Sequence, residues 1–99
     1  MKFNGIEDIK RYNAETGHYF FSADTMRFFR SRVSGETFGA NGELFITSDK
    51  NEGPGYSFPR RYTVRAIRDD GSVDTMSEFQ QFTTLAQARA FAKKLTVNA

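Results

Sequence analysis

Residues 60–95 read RRYTVRAIRDDGSVDTMSEFQQFTTLAQARAFAKKL, and the fold is decided in this stretch. Two strands, 60–68 and 73–82, are predicted on either side of Asp69-Asp70-Gly71-Ser72, because Asp-Gly supplies the positive φ angles that a short hairpin connection needs. A helix over 84–95 comes next. The sequence therefore predicts a β-hairpin followed by a helix, and the rest of the chain is expected to pack around this unit.

The predicted pairing divides the hairpin into two faces. With Arg68 opposite Val73, three more pairs share its face: Ala66 with Thr75, Val64 with Ser77, and Tyr62 with Phe79. That face is the apolar one. The other face carries a mixed charged set that is suited to water or to a partner, namely Arg61, Thr63, Arg65, Ile67, Asp74, Met76, Glu78 and Gln80.

The helix over 84–95 has both a start signal and an apolar stripe. Thr84 and Gln87 have the spacing of a capping box, in which each side chain satisfies a free amide at the helix start. The stripe consists of Leu85, Ala88, Phe91, Ala92 and Leu95. Because such a stripe must be buried, we expect the helix to pack on the apolar face of the preceding hairpin.

The first third of the chain is predicted to form helices. A helix over 4–16 has Asn4 as its cap and Gly17 as its stop. For 22–33 two interpretations stay open. The favoured one is a short helix that begins at a Ser22 cap, ends at about Arg30 and turns Met26, Phe29 and Val33 inward; the other is a strand over 28–33.

A second hairpin and a long loop are predicted in the middle of the chain. Strands over 33–38 and 43–48 flank Asn41-Gly42, which is a strong hairpin signal. The loop 49–59 contains both prolines and shows no periodicity. Its two aromatic residues would be costly to leave in water, so we expect them to dock on the body of the protein or on a partner: Tyr56 and Phe58.

These elements predict the fold class α+β. We expect a small antiparallel sheet of about four strands, with N-terminal helices and a C-terminal helix packed on one face. The length of 99 residues is that of one domain, so residues 1–99 are expected to form a single domain.

Composition excludes several kinds of function. The chain has no cysteine, which rules out disulfides, thiolate metal sites and a cysteine nucleophile. Its apolar runs are too short for a membrane span or a signal peptide, so we expect a cytoplasmic protein that does not contact a membrane. The single histidine, His18, has no carboxylate partner close by in sequence and is interpreted as a packing or surface residue. We expect no catalysis, no cofactor and no metal.

Clustered arginines make the best candidate binding surface. In one interpretation the arginines of 26–33 are simply solvated. In the other they join the hairpin arginines in one basic patch, because arginine and aromatic residues are enriched in interface hot spots. The candidate partner-binding residues are Arg27, Arg30, Arg32, Arg61, Thr63, Arg65, Tyr56 and Phe58.

The hairpin and helix resemble the three-stranded-sheet DNA-binding domains of phage-type integrases. The residues that carry this resemblance are Tyr62, Val64, Arg65, the Asp70-Gly71 turn, Phe82, Thr84 and Ala88. The resemblance implies that Arg61, Thr63 and Arg65 meet bases or phosphates in the major groove. Two acids expected on the same face, Asp74 and Glu78, would repel phosphate.

A larger part of the chain is similar to a family of short bacteriophage and plasmid proteins of unknown function. The similar stretches are the run 12–33, especially GHYFFS at 17–22 and TMRFFRSRV at 25–33, together with PRRYTVR at 59–65 and the helix 84–95. This resemblance implies a mobile-element context, in which small proteins without catalytic residues occupy a host protein. We therefore expect a binding module that acts on a host macromolecule, with a host protein as partner. The alternative is a sequence-tolerant DNA- or RNA-binding protein that uses the exposed face of the hairpin.

Overall fold

A four-stranded antiparallel sheet in the order β1-β2-β5-β6 is the centre of the molecule. The computed structural model describes residues 2–27 and 30–98, with side chains to residue 95. In chain order the elements are α1 (Ile6–Glu15), α2 (Ala23–Arg27), β1 (Arg32–Phe38), β2 (Leu44–Asp49), β3 (Glu52–Gly53), β4 (Tyr56–Ser57), β5 (Arg61–Ile67), β6 (Val73–Thr75) and α3 (Leu85–Asn98). The predicted α+β class is confirmed. None of the described helices is long and apolar enough to cross a membrane.

The central strands β2 and β5 are covered on both faces. All six residues of β2 are buried, and its side chains alternate, so that Leu44 and Ile46 belong to one apolar cluster and Phe45 belongs to another. Period-two alternation sends neighbouring residues of a strand to opposite faces of the sheet. The sheet therefore separates two cores.

The first core lies between the sheet and α3. Ala88 and Ala92 of α3 are fully buried against Val64 and Ala66 of β5. The N–H of Gln87 donates to Thr84 Oγ1 at 3.2 Å, and the N–H of Thr83 donates to Gln87 Oε1 at 3.0 Å. The cap, the apolar stripe and the packing of this helix on the apolar face of the hairpin were all predicted, and they are confirmed.

The second core lies on the opposite face, beneath α1. Ile9 of α1 is buried with Phe45 and Ile67, and Phe20 and Phe21 pack against them. The helices thus cover both faces of the sheet, whereas the sequence led us to expect them on one. The reason is Ile67, which was assigned to a solvated charged face and in fact is buried in this core together with the aromatic residues of the N-terminal segment.

The cap of α1 also differs from the prediction. The helix begins after Gly5, and the side chain of Asn4 does not cap it. Instead the backbone N–H of Asn4 donates to the Asp8 carboxylate at 2.9 Å. The predicted stop is confirmed, because Gly17 follows the helix with a positive φ of 83°.

The hairpin between β5 and β6 is one residue out of the predicted register. The observed pairs are Ile67 with Val73, Ala66 with Asp74 and Arg65 with Thr75. The N–H of Arg68 donates to the Ser72 carbonyl and the N–H of Gly71 donates to the Arg68 carbonyl, at 2.8 and 2.9 Å. Gly71 has a φ of 86°, which is typical of a three-residue loop that ends in a glycine bulge, whereas a four-residue turn was predicted.

The predicted second strand of the hairpin is too long. β6 ends at Thr75, and the N–H groups of Met76 and Ser77 both donate to the Val64 carbonyl, so the chain bulges away from the sheet. It returns at Phe82, which makes a bridge to Tyr62. Phe79 was expected opposite Tyr62 and instead is 51% exposed.

Two carboxylates hold the turn of this hairpin. Asp70 Oδ1 accepts the Ser72 N–H at 2.9 Å and the Ser72 hydroxyl at 2.6 Å, and these bonds lower the pKa of Asp70. Asp74 accepts hydrogen bonds from the Arg68 guanidinium. These bonds lower the pKa of Asp74, and the hydrogen bond from the Thr75 N–H and the positive charge of Arg68 lower it further. His18 Nε2 lies 3.1 Å from the Asp70 carbonyl oxygen, on the same turn.

The segment 22–33 is helical at its start, as favoured, but the helix is shorter than predicted and the last two residues of the segment belong to β1, in part as the alternative interpretation expected. The N–H of Thr25 donates to Ser22 Oγ at 3.3 Å, so the predicted cap is confirmed, and α2 ends at Arg27. Met26 and Val33 are half-buried. Phe29, which was also expected to face inward, lies outside the described residues.

The hairpin β1–β2 is confirmed, although its first strand is irregular. Val33 pairs with Thr47 and Thr37 pairs with Phe45, and the register shifts between these two pairs. Gly35 lies in the irregular part.

The stretch 49–59 is more ordered than a loop. β2 extends to Asp49, and β3 and β4 form a two-stranded ribbon around Pro54-Gly55, in which Gly55 has a φ of 82°. Proline followed by a positive-φ glycine is typical of a type II turn. Tyr56 and Phe58 are 48% and 56% exposed, and their ring centres lie 5.8 Å apart. Phe58 also lines a cavity with Asp49, Arg61 and Gln80, so the expected docking on the body of the protein is only partial.

Candidate functional site

The start of β1, the end of β2 and the start of β5 meet at one end of the sheet. The pairs Arg32 with Ser48 and Asp49 with Arg61 establish this, since the three strands are antiparallel neighbours. α2 and the residues that flank the strands bring basic side chains to the same end. They line an open groove of about 540 Å³, which we name the basic groove: Arg27, Arg30, Arg32, Lys50 and Arg60.

Two acids partly balance the five cations of the basic groove. Arg27 forms an ion pair with Asp24 at 2.9 Å, and Arg30 forms one with Glu52 at 3.0 Å. Arg60 Nη1 donates to the Arg30 carbonyl and to Ser48 Oγ, both at 3.0 Å, so this side chain is held in place. The groove therefore has a net positive charge and suits an anionic surface.

Sequence reasoning found part of this groove. Arg27, Arg30 and Arg32 were predicted to act together, and the fold brings them together. Lys50 and Arg60 were missed. Lys50 follows β2 directly, and Arg60 directly precedes β5. Because β2 and β5 pair in antiparallel order, the end of one strand lies beside the start of the other. This arrangement was the only feature from which their proximity could have been predicted.

The hairpin residues predicted for the same patch lie elsewhere. Thr63 is 0% exposed, and its Oγ1 accepts the Gln80 N–H at 2.8 Å. It therefore has no surface to offer a partner, contrary to the prediction. Arg61 and Arg65 are half-buried on the face of the sheet that carries the second core. The prediction took this face to be open, but the N-terminal segment and the bulge after β6 cover it.

Arg65 is held firmly in this face. Its Nε donates to Thr47 Oγ1 at 2.8 Å, and its Nη1 donates to Thr75 Oγ1 at 3.0 Å. The guanidinium carbon lies 5.0 Å from the centre of the Phe20 ring and 5.8 Å from that of Phe79, which is cation–π distance. Burial lowers the pKa of Arg65, and the negative charge of Asp49 acts in the opposite direction.

A cavity of about 480 Å³ opens beside Arg65, and we name it the Asp49 pocket. Its lining comprises Phe20, Asp24, Thr25, Met26, Ser31, Thr47, Asp49, Arg65 and Phe79. Asp49 is only 3% exposed, and the Ser31 hydroxyl donates to its Oδ1. Its Oδ2 has no hydrogen-bond partner in the described part of the chain. Sequence reasoning missed this pocket, because Asp49 was assigned to the start of the loop 49–59.

A second buried polar atom lies close by. Arg61, which pairs with Asp49 across the strands, has a buried Nε that lacks a partner among residues 2–27 and 30–98. A buried polar group that makes no hydrogen bond costs about 1–3 kcal/mol of folding free energy, and such groups are rare in native proteins. Two of them side by side mark this end of the sheet as a candidate binding region.

Tyr56 and Phe58 lie on the ribbon whose Glu52 lines the basic groove, and Phe58 itself lines a separate cavity with Asp49 and Arg61. Glu52 of β3 pairs with Ser57 of β4 and also forms the ion pair with Arg30. The ribbon that carries the two exposed rings is therefore attached to the rim of the groove. We name Tyr56 and Phe58 the aromatic pair.

Residues 5–93 match the Family of unknown function (DUF7447). The chain belongs to this family. The DUF7447 match includes the basic groove, the Asp49 pocket and the aromatic pair. No curated protein and no solved structure matches the chain.

Proposed function

We propose that this protein is a non-enzymatic binding protein that engages the acidic surface of a host protein through its basic groove. The observation that carries the proposal is the convergence of five basic side chains, against two acids, at one end of the sheet. The similarity to short phage and plasmid proteins favours a mobile-element setting, in which the bound host protein belongs to a defence or another host process.

The make-up of the groove favours a protein over a nucleic acid as partner. Asp24 and Glu52 lie among the arginines and would repel a phosphate backbone, whereas a protein surface of mixed charge can pair with both signs. The exposed aromatic pair on the ribbon joined to the groove through Glu52 adds a side-chain type that is enriched with arginine in interface hot spots.

The alternative, nucleic-acid binding by the hairpin face, is disfavoured by burial. Of the three residues expected to make base contacts, Thr63 is fully buried, and Arg61 and Arg65 are half-buried on a face that other parts of the chain cover. A nucleic acid would have to use the basic groove instead, and the experiment separates the two partners.

The experiment reverses two groove charges and compares capture of host proteins. Arg32→Glu with Lys50→Glu is the test variant, and Lys93→Glu with Lys94→Glu on α3 is the matched control. We expect the wild type and the control to retain the same host protein from a nuclease-treated lysate. With that host protein purified, the test variant should bind at least about tenfold more weakly at low salt, because like charges then face each other across the interface.

Two results would contradict this proposal. One is capture that disappears after nuclease treatment together with salt-dependent binding to random duplex, single-stranded DNA or RNA, which would assign the groove to nucleic acid. The other is unchanged binding by the test variant, which would remove the groove from the interface. A second variant, Tyr56→Ser with Phe58→Ser, examines the aromatic pair in the same assay.

A further inference from the structure

The Asp49 pocket has features of a small-molecule site that the basic groove lacks. Its volume of about 480 Å³ is within the range typical of ligand sites, and its lining includes the apolar side chains of Phe20, Met26 and Phe79. The pocket lies on the face of the sheet that carries Thr47 and Arg65, and it shares only Met26 and Ser31 with the groove.

Asp49, in the lining of the pocket, determines which hydrogen-bonding group a ligand should present there. A carboxylate accepts hydrogen bonds and donates none. The Ser31 hydroxyl occupies Oδ1, and Oδ2 is buried without a partner among the described residues. A ligand that donates an N–H or O–H to this carboxylate in the pocket would therefore use its remaining acceptor capacity.

Arg65 specifies the second polar contact. A guanidinium has five donor hydrogens, and the bonds to Thr47 and Thr75 use two of them. Those that remain can donate to an acceptor on the ligand beside its donor. The guanidinium carbon of Arg65 lies 5.0 and 5.8 Å from the centres of the Phe20 and Phe79 rings, and a pocket lined by these flat groups favours a flat, aromatic ligand.

We propose that the Asp49 pocket binds the guanine base of a nucleotide. Guanine has adjacent N–H donors on its Watson–Crick edge for Asp49, and it has the O6 and N7 acceptors that arginine reads in many complexes. The proposal rests on the pocket alone and holds whichever partner the basic groove binds.

The first experiment uses the wild-type protein and titration calorimetry with single nucleotides. Guanosine monophosphate should bind at least about tenfold more tightly than inosine monophosphate. The two differ only in the 2-amino group, whose hydrogen bond Asp49 would accept. Adenosine, cytidine and uridine monophosphates should bind more weakly than guanosine monophosphate. This comparison requires no variant, so a folding defect cannot confuse it.

The second experiment changes the acceptor. Asp49→Asn keeps the size of the side chain and supplies an amide donor, so it should weaken binding of guanosine monophosphate. It should also improve binding of xanthosine monophosphate, which carries a carbonyl oxygen where guanine carries the 2-amino group. Asp69→Asn in the hairpin turn is the matched control and should leave both affinities unchanged. Circular dichroism verifies that both variants fold.

Two sources of guanine are distinguished by a further titration. A thymidine oligonucleotide with one central guanine is compared with the all-thymidine strand and with free guanosine monophosphate. Preference for the guanine strand over the free nucleotide assigns the pocket to single strands, and the opposite preference assigns it to free nucleotides.

Two results would overturn the proposal. The first is the absence of binding by any guanine ligand at about 1 mM, a concentration at which even a site with a Kd of about 1 mM would be half occupied. The second is equal affinity for guanosine and inosine monophosphates together with no change in Asp49→Asn, because Asp49 would then make no contact with the base.

Discussion

At the scale of single residues, Gly71 connects the hairpin turn to the first helix through a hydrogen bond. Its carbonyl accepts a hydrogen bond from Asn13 Nδ2 at 2.8 Å, and its backbone has a φ of 86°. Asn13 is 1% exposed, and its Oδ1 also accepts the Phe20 N–H at 3.1 Å. One buried amide thus ties α1 to the hairpin turn and to the aromatic segment.

Replacing Gly71 should therefore be costly. A Cβ at this position would overlap the side chain of Thr16, and a residue other than glycine is strained at this positive φ. We expect Gly71→Ala to lower the free energy of unfolding by about 2–4 kcal/mol in urea denaturation. Gly35→Ala is the control, since its Cβ would meet nothing within 4 Å, and it should change stability by less than about 0.5 kcal/mol. Equal losses in the two variants would contradict this account.

Sequence reasoning predicts single residues well only where the cause is local. Gly17, Thr84 and Gln87 were predicted correctly, because the stop and the cap of a helix depend on neighbours within a few positions. Asp49 was not identified as a buried polar residue. Its surroundings come from parts of the chain far away in sequence, and polarity alone predicts a surface position for it.

At the scale of elements, the β5–β6 hairpin depends on its charged turn. Arg68 and Asp74 face each other across the hairpin, and hydrogen bonds from Arg68 are the main cause of the lowered pKa of Asp74. A carboxyl group whose pKa is lower in the folded protein than in the unfolded chain stabilises the fold above the unfolded pKa. That stabilisation is lost as the pH falls through the folded value.

This linkage predicts a pH-dependent loss of stability in Asp74→Ala. The variant should be less stable than the wild type at about pH 6, and the deficit should shrink at about pH 3, below the usual aspartate pKa. Urea unfolding at the two pH values measures it. Asp69→Ala, in the same turn but not bonded to Arg68, should show little deficit at either pH. A deficit for Asp74→Ala that is independent of pH would show that the charge of Asp74 is not its cause.

The two halves of the stretch 60–95 were not equally predictable. α3 was predicted correctly in its cap, its stripe and its packing, because its periodicity continues over three turns. The β6 strand was predicted too long and in the wrong register. Asp-Gly is compatible with several loop lengths, and the choice of Phe82 rather than Phe79 beside Tyr62 depends on a bulge that strand alternation does not reveal.

At the scale of the whole molecule, one sheet holds two cores together. β2 and β5 contribute side chains to both clusters, so neither cluster can lose its packing without disturbing the same two strands. The molecule should therefore unfold in a single step, as small domains usually do.

This prediction is tested with one substitution in each core. Ile9→Ala beneath α1 should cost about 2–5 kcal/mol, and Val64→Ala beneath α3 should cost about 1–3 kcal/mol, because each leaves a cavity at a fully buried site. In both variants, far-UV circular dichroism and tyrosine fluorescence should report the same transition midpoint. Separate midpoints for the two signals in either variant would show that the cores unfold independently.

The early end of β6 and the shifted register within β1 have a consequence for the behaviour of the protein in concentrated solution. These two strands are the outer members of the sheet, and a foreign chain could add to the sheet only along them. β6 offers only three residues for pairing, and the register of β1 is interrupted. Neither edge strand can therefore form a long, regular ladder of hydrogen bonds with another molecule. The sheet is thereby protected against edge-to-edge aggregation by its own irregularities.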